Sequence, residues 1–167
     1  MKTKLSDKQF LLIAFLEAPL LAAIVSCLTR YPGDNGYTLL ENKNLMIYFF
    51  MAIIVSVFMG MSISAEEIFR DRALLKREKF LRLSYGSYIW SKIIFLAVIS
   101  LVQTLLFILA GNRIIGIRDL FGEWWAILFT SALLSNLIGL LLSQRLRSIV
   151  AIYITIPLLL IPQILLC

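Results

Sequence analysis

Apolar residues in this chain come in long runs rather than in alternation. Four runs contain no charged residue: Leu45 to Ile63, Ile93 to Ala110, Trp124 to Ser143 and Ser148 to Cys167. A fifth, Phe10 to Leu28, carries a single acid, Glu17. At about 1.5 Å rise per residue, a helix of roughly 20 residues matches a hydrocarbon layer of roughly 30 Å. The pattern predicts an all-α fold, a polytopic transmembrane helix bundle with five spans at about 10–28, 45–63, 93–110, 124–143 and 148–167.

Charge is concentrated between the second and third runs, in SAEEIFRDRALLKREKFLRL (Ser64 to Leu83). Ser64 followed by Glu67 fits a capping box, in which the hydroxyl takes a free backbone N–H and the carboxylate reaches back. Tyr85-Gly86-Ser87 offers a glycine to close one helix and a serine to cap the next. These signals predict a separate helix over about 65–83. At about 100° per residue, Glu67, Asp71 and Glu78 fall on one ridge, while Arg72, Lys76 and Lys79 gather on another side. Glu66 with Arg70 and Glu78 with Arg82 are favourable pairs one turn apart, whereas Glu67 and Asp71 repel by a similar amount. Local helix stability therefore does not account for the acidic ridge. It is either a solvated face or a docking surface for basic groups on a partner.

Composition narrows the class. The chain is 60% hydrophobic and only 16% charged, with mean hydropathy +0.91, where soluble domains carry about 25% charged residues. A single membrane domain is expected, with connections too short for a soluble catalytic domain. The net charge of +6 lies beside the spans rather than on a polar domain, which argues for membrane lipid and against nucleic acid as its partner. Twelve Lys and Arg fall on the side of the charged block and four on the other. That asymmetry places the N-terminus and the block in the cytoplasm; the membrane expected is a plasma (inner) membrane of bacterial type. The basic start MKTK before an apolar run looks like a signal peptide, but Glu17, Pro19 and the lack of a small-residue cleavage site favour a retained span. Tyr31 to Asn44, rich in turn formers, and Asn112 to Glu123 read as outer connectors. Trp124 and Trp125 suit an aromatic belt.

Histidine is absent, which removes the usual zinc ligand sets and an imidazole base, so no metal site is expected. None of the eight glycines begins a GxxxxGK[ST] phosphate loop, and the chain carries no ATPase or other catalytic motif. Three intramembrane polar residues remain. Glu17 near a span centre costs roughly 2.5 to 3.5 kcal/mol on insertion scales, so it is expected to face protein or water. It either packs against another span, near Gln103 or Asn136, or lines a substrate or proton route. Gln103 and Asn136 themselves read more readily as interhelical glue than as ligands. Pro19, Pro157 and Pro162 are expected to bend their helices.

The run Glu67-Ile68-Phe69-Arg70-Asp71-Arg72-Ala73-Leu74-Leu75-Lys76-Arg77-Glu78, followed by Leu83, Tyr85, Gly86, Tyr88, Ser91 and Lys92, resembles the cytoplasmic coupling segment of ATP-binding-cassette (ABC) exporter permeases, in particular the G-subfamily type. FLEAPLLA (Phe15 to Ala22) and PLLLIPQILLC (Pro157 to Cys167) are similar to that family's first and fifth spans. Asp71 departs from the glutamate more usual in the family, keeping the charge and shortening the side chain. The resemblance implies a permease that dimerises with a second permease half. ABC ATP-binding domains, in the same longer polypeptide or a separate subunit, would bind ATP, and this chain would hold no cofactor. By position, Glu67, Asp71, Arg77 and Glu78 would transmit their closure to the spans. The family usually has a sixth span, so a chain with five is expected to be a fragment. The alternative is a small membrane scaffold or assembly subunit whose charged helix recruits a cytoplasmic partner. An intramembrane enzyme lacks the paired acids or nucleophile and base that it would need.

Overall fold

A computed structural model of the chain describes residues 8–29, 44–65, 85–116, 121–145 and 149–165. Every described residue except Gly116 is helical. The helices are α1 (Lys8–Thr29), α2 (Asn44–Ala65), α3 (Tyr85–Ile115), α4 (Phe121–Arg145) and α5 (Ile149–Leu165). Three stretches, Asn44–Ala65, Gly86–Ile115 and Phe121–Arg145, are long and apolar enough to cross a membrane, and Ala14–Thr29 and Ile154–Leu165 are shorter apolar helices. The protein is an all-α membrane helix bundle.

The helices run further than the uncharged windows do. α3 begins at Tyr85 and ends at Ile115, passing Lys92 and Arg113. A charge marks where the chain leaves hydrocarbon, but the backbone hydrogen bonds that hold a helix are indifferent to that boundary. The turn expected at Tyr85-Gly86-Ser87 is therefore inside a helix. Gly86 is exposed with no atom near the position of a Cβ, so it neither kinks nor packs there. What stops α3 is Gly116, with φ of 87°. Its N–H donates to the Asn112 carbonyl at 2.7 Å, the left-handed cap that glycine adopts without steric cost.

Successive helices are antiparallel, which the core clusters show. Ala14, Ile63, Leu96, Ile99 and Leu140 meet at one end of the bundle, and Val25, Leu45, Tyr48 and Ile115 at the other. Between them lie Ala18, Ala22, Ala52, Met59, Phe107, Ile108, Trp124 and Leu128. Trp124 is thus not a belt residue. It is 7% exposed and tilts against Phe49 with ring centroids 4.3 Å apart. α2 is the hub: its most extensive packing is on α4, and it also touches α1, α5 and α3. The second extensive pair is α1 with α3. On the outside each helix keeps an apolar stripe, such as Leu12, Leu16, Leu20, Ile24 and Leu28 on α1. Such stripes suit lipid, which has no claim on hydrogen bonds.

Candidate functional site

Ala52, Ser56, Gly60 and Ser64 recur every four residues along α2 and all are buried. Facing them on α4 are Leu128, Ala132, Ser135, Asn136, Gly139 and Ser143, also buried. Lipid tails are as apolar as leucine, so helices in a membrane gain from close van der Waals approach rather than from burying apolar surface, and small residues permit that approach. The seam uses them in both directions. A Cβ at Gly60 would overlap Ser135 Oγ and lie 2.7 Å from the Ala132 carbonyl oxygen. A Cβ at Gly139 would overlap Ser64 Oγ and lie 3.1 Å from Ser64 Cβ and 3.3 Å from the Ala65 backbone nitrogen. Ser56 Oγ donates across the seam to the Leu128 carbonyl at 2.7 Å. The backbone at Ala65, where the charged block begins, is thereby fixed against α4.

Ser64 does not start a new helix. It lies within α2, and its hydroxyl donates back to the Gly60 carbonyl at 2.7 Å. A serine inside a helix satisfies itself on the preceding turn in this way, which removes it from capping. Glu67, Asp71, Arg77 and Glu78, and the predicted helix over 65–83 beyond Ala65, lie outside the described residues.

The intramembrane polar residues divide. Gln103 is 1% exposed, and its Nε2 donates to the Ala14 carbonyl at 2.9 Å, tying α3 to α1. Asn136 is 3% exposed and donates from Nδ2 to Ser100 Oγ at 2.7 Å, tying α4 to α3. Asn136 Oδ1 is buried without a partner among the described residues. Glu17 is half-buried, between exposed Leu16 and buried Ala18 on α1. Gln103 meets α1 at Ala14, three residues before Glu17, but takes a backbone carbonyl.

At the Thr29 end the polar atoms are arranged differently. Tyr48 and Ser26 are fully buried and converge on Gly111 of α3. A Cβ there would overlap the Tyr48 hydroxyl and sit 3.4 Å from Ser26 Oγ. Neither hydroxyl closes a well-formed hydrogen bond among the described residues, and the same holds for Asn112 Oδ1 and the indole nitrogens of Trp124 and Trp125. Among the described residues no group of three His, Cys, Asp or Glu could hold a metal ion.

Sequence reasoning passed over Gly60, Gly139 and their serine neighbours. The signal was present as four small residues at a spacing of four within an apolar run, the pattern that marks close helix contacts in membranes.

Residues 2–167 match the sequence model of the ABC-2 type transporter family, in its membrane domain. No curated protein matches the chain, and no solved structure does.

Proposed function

Because the chain belongs to the ABC-2 type transporter family, we propose that it is the permease part of an ATP-driven exporter of the G-subfamily type. The family match over residues 2–167 carries this reading. On it, five spans cross a bacterial-type plasma membrane with the N-terminus and the charged block in the cytoplasm, as the basic asymmetry favours. ATP is bound and hydrolysed by a partner ABC domain, and a second permease half completes the assembly. Closure of the ATP-binding domains pushes on the segment after Ala65, with Glu67, Asp71, Arg77 and Glu78 as its contact residues. The seam to α4 supports this assignment, because a push at that point enters a backbone already fixed to a second helix.

The test is electrostatic. Glu67 and Asp71 repel each other in an isolated helix, so neutralising an acid leaves folding and insertion near normal. At a partly buried contact, losing one carboxylate strands its basic partner and costs about 2 to 5 kcal/mol. Asp71→Asn and Glu78→Gln in the complete transporter are expected to leave ATP hydrolysis running while transport falls. Glu78→Lys combined with a reversed partner charge is expected to restore part of it. Transport at the unmodified rate in both neutralised variants overturns the coupling role. A partner that binds without any ATP-dependent transport points to a scaffold instead.

A further inference from the structure

We propose that the start of α3 is a docking surface for phospholipid headgroups, seated by Trp90, on the side of the membrane that carries the charged block. α3 has 31 residues, about 46 Å at about 1.5 Å per residue. A bilayer is about 30 Å thick in its hydrocarbon and about 40 to 45 Å with both headgroup layers, so α3 is long enough to pass through all of it. The other described helices have 17 to 25 residues and fall short. Lys92 and Arg113 are the only charged residues of α3, and the helix between them measures about 32 Å, the thickness of the hydrocarbon. Trp90, two residues before Lys92, therefore lies about 3 Å further out, at headgroup level.

The side chain faces outward at that level. Trp90 is 67% exposed, and it stands one turn before exposed Ile94 and two turns before exposed Val98. The strip that acyl chains cover at Val98 and Ile94 thus continues to Trp90 without a break, which is what selects lipid as the occupant. Ser87 and Gly86 prolong it and are exposed too, with no atom within 4 Å of the place of a Cβ at Gly86. An indole suits this position, because its ring is apolar while its N–H can donate to ester and phosphate oxygens. Lys92 brings positive charge to the same level, where lipid phosphates lie. Trp124, sealed in the core at 7% exposed, cannot serve in this way. The charged block is then tied to protein at Ala65 and to lipid at the start of α3.

Depth-resolved quenching of tryptophan fluorescence tests the contact in the complete transporter, reconstituted in phosphatidylcholine vesicles. The signal of Trp90 is the difference between the parent and Trp90→Phe, a change at an exposed position. Bromines placed high on the acyl chain are expected to quench that signal about twofold more than bromines near the chain end, and aqueous iodide only weakly. Stronger quenching by the deep bromines, quenching by iodide alone, or protection from all three would put Trp90 in mid-membrane, in water or under protein, and each overturns the proposal. A second reading comes from spin labels on Ser87→Cys and Val98→Cys, in a chain with Cys27 and Cys167 changed to Ser. The label at position 98 is expected to favour oxygen and the label at position 87 a water-soluble nickel chelate. Oxygen preference at both positions places the start of α3 in hydrocarbon and overturns the proposal as well. No ATP is needed, so either outcome leaves the permease reading where it stands.

Discussion

α2 makes two contacts of opposite character about a third of a turn apart. Toward α4 it presents Ala52, Ser56, Gly60 and Ser64, and backbone meets backbone. Toward α5 it presents Ile54, Met61 and Ala65, which pack on Ile156 and Leu160 with Phe50, Val57 and Phe58 around them. In water the second contact would gain from burying its large apolar side chains. In lipid that advantage disappears, because an acyl chain replaces a leucine at little cost, while no lipid can replace the close approach that two glycines permit. The comparison teaches that α2 and α4 are held by shape and α5 is held by replaceable apolar contact. That is why the seam, and not α5, is suited to pass on a displacement arriving at Ala65.

The largest effect is expected from filling the seam. Gly60→Leu or Gly139→Leu forces side-chain atoms into the opposite backbone and is expected to cost about 3 kcal/mol or more. Reversible unfolding in bicelles would show the loss at both sites. If either variant is as stable as the parent, the seam is looser than described and the contrast with α5 fails.

Trimming the other contact should cost less. Ile156→Ala and Leu160→Ala remove a few methyl and methylene contacts that lipid can partly refill, and each is expected to cost about 1 kcal/mol. The same unfolding assay decides. A loss equal to that of Gly139→Leu would place α5 on the same footing as α4.

Asn136→Leu removes one bond, to Ser100, together with an amide oxygen that has no partner among the described residues. Interhelical hydrogen bonds in membranes average about 0.6 kcal/mol, so a loss of that order is the upper expectation. Tyr48→Phe is expected to be neutral or slightly stabilising, since it removes a buried hydroxyl without a well-formed bond. A clear loss of stability in Tyr48→Phe would mean that its hydroxyl closes on Ser26.

These differences in magnitude follow the line between what the sequence made readable and what it did not. Uncharged runs marked where helices cross hydrocarbon, because charge is costly there whatever the neighbours. They did not mark helix ends: Arg113 interrupts the run but not α3, which ends three residues later at the Gly116 cap. Gln103 and Asn136 were readable as interhelical donors from residue type alone, but their partners, a backbone carbonyl on α1 and a serine on α3, depend on how the helices face one another. Trp124 was misassigned for the same reason, since its neighbours Phe49 and Leu128 decide between belt and core. The small-residue ladder of α2 was in plain view as spacing, though only the facing ladder on α4 gives it meaning.

The central claim is that α2 is fixed to α4 where the charged segment leaves the bundle. Ser64→Cys with Gly139→Cys, in a chain with Cys27 and Cys167 changed to Ser, tests it directly. The Cβ of Ser64 and the position of a Cβ at Gly139 are 3.1 Å apart, a few tenths of an ångström short of the roughly 3.5 to 4.5 Å that a disulfide spans. Mild oxidation in native membranes is expected to join them within one chain in near-quantitative yield, seen by mass spectrometry of the proteolysed protein. Two free thiols after the same treatment, in protein that is inserted and folded, would contradict the account.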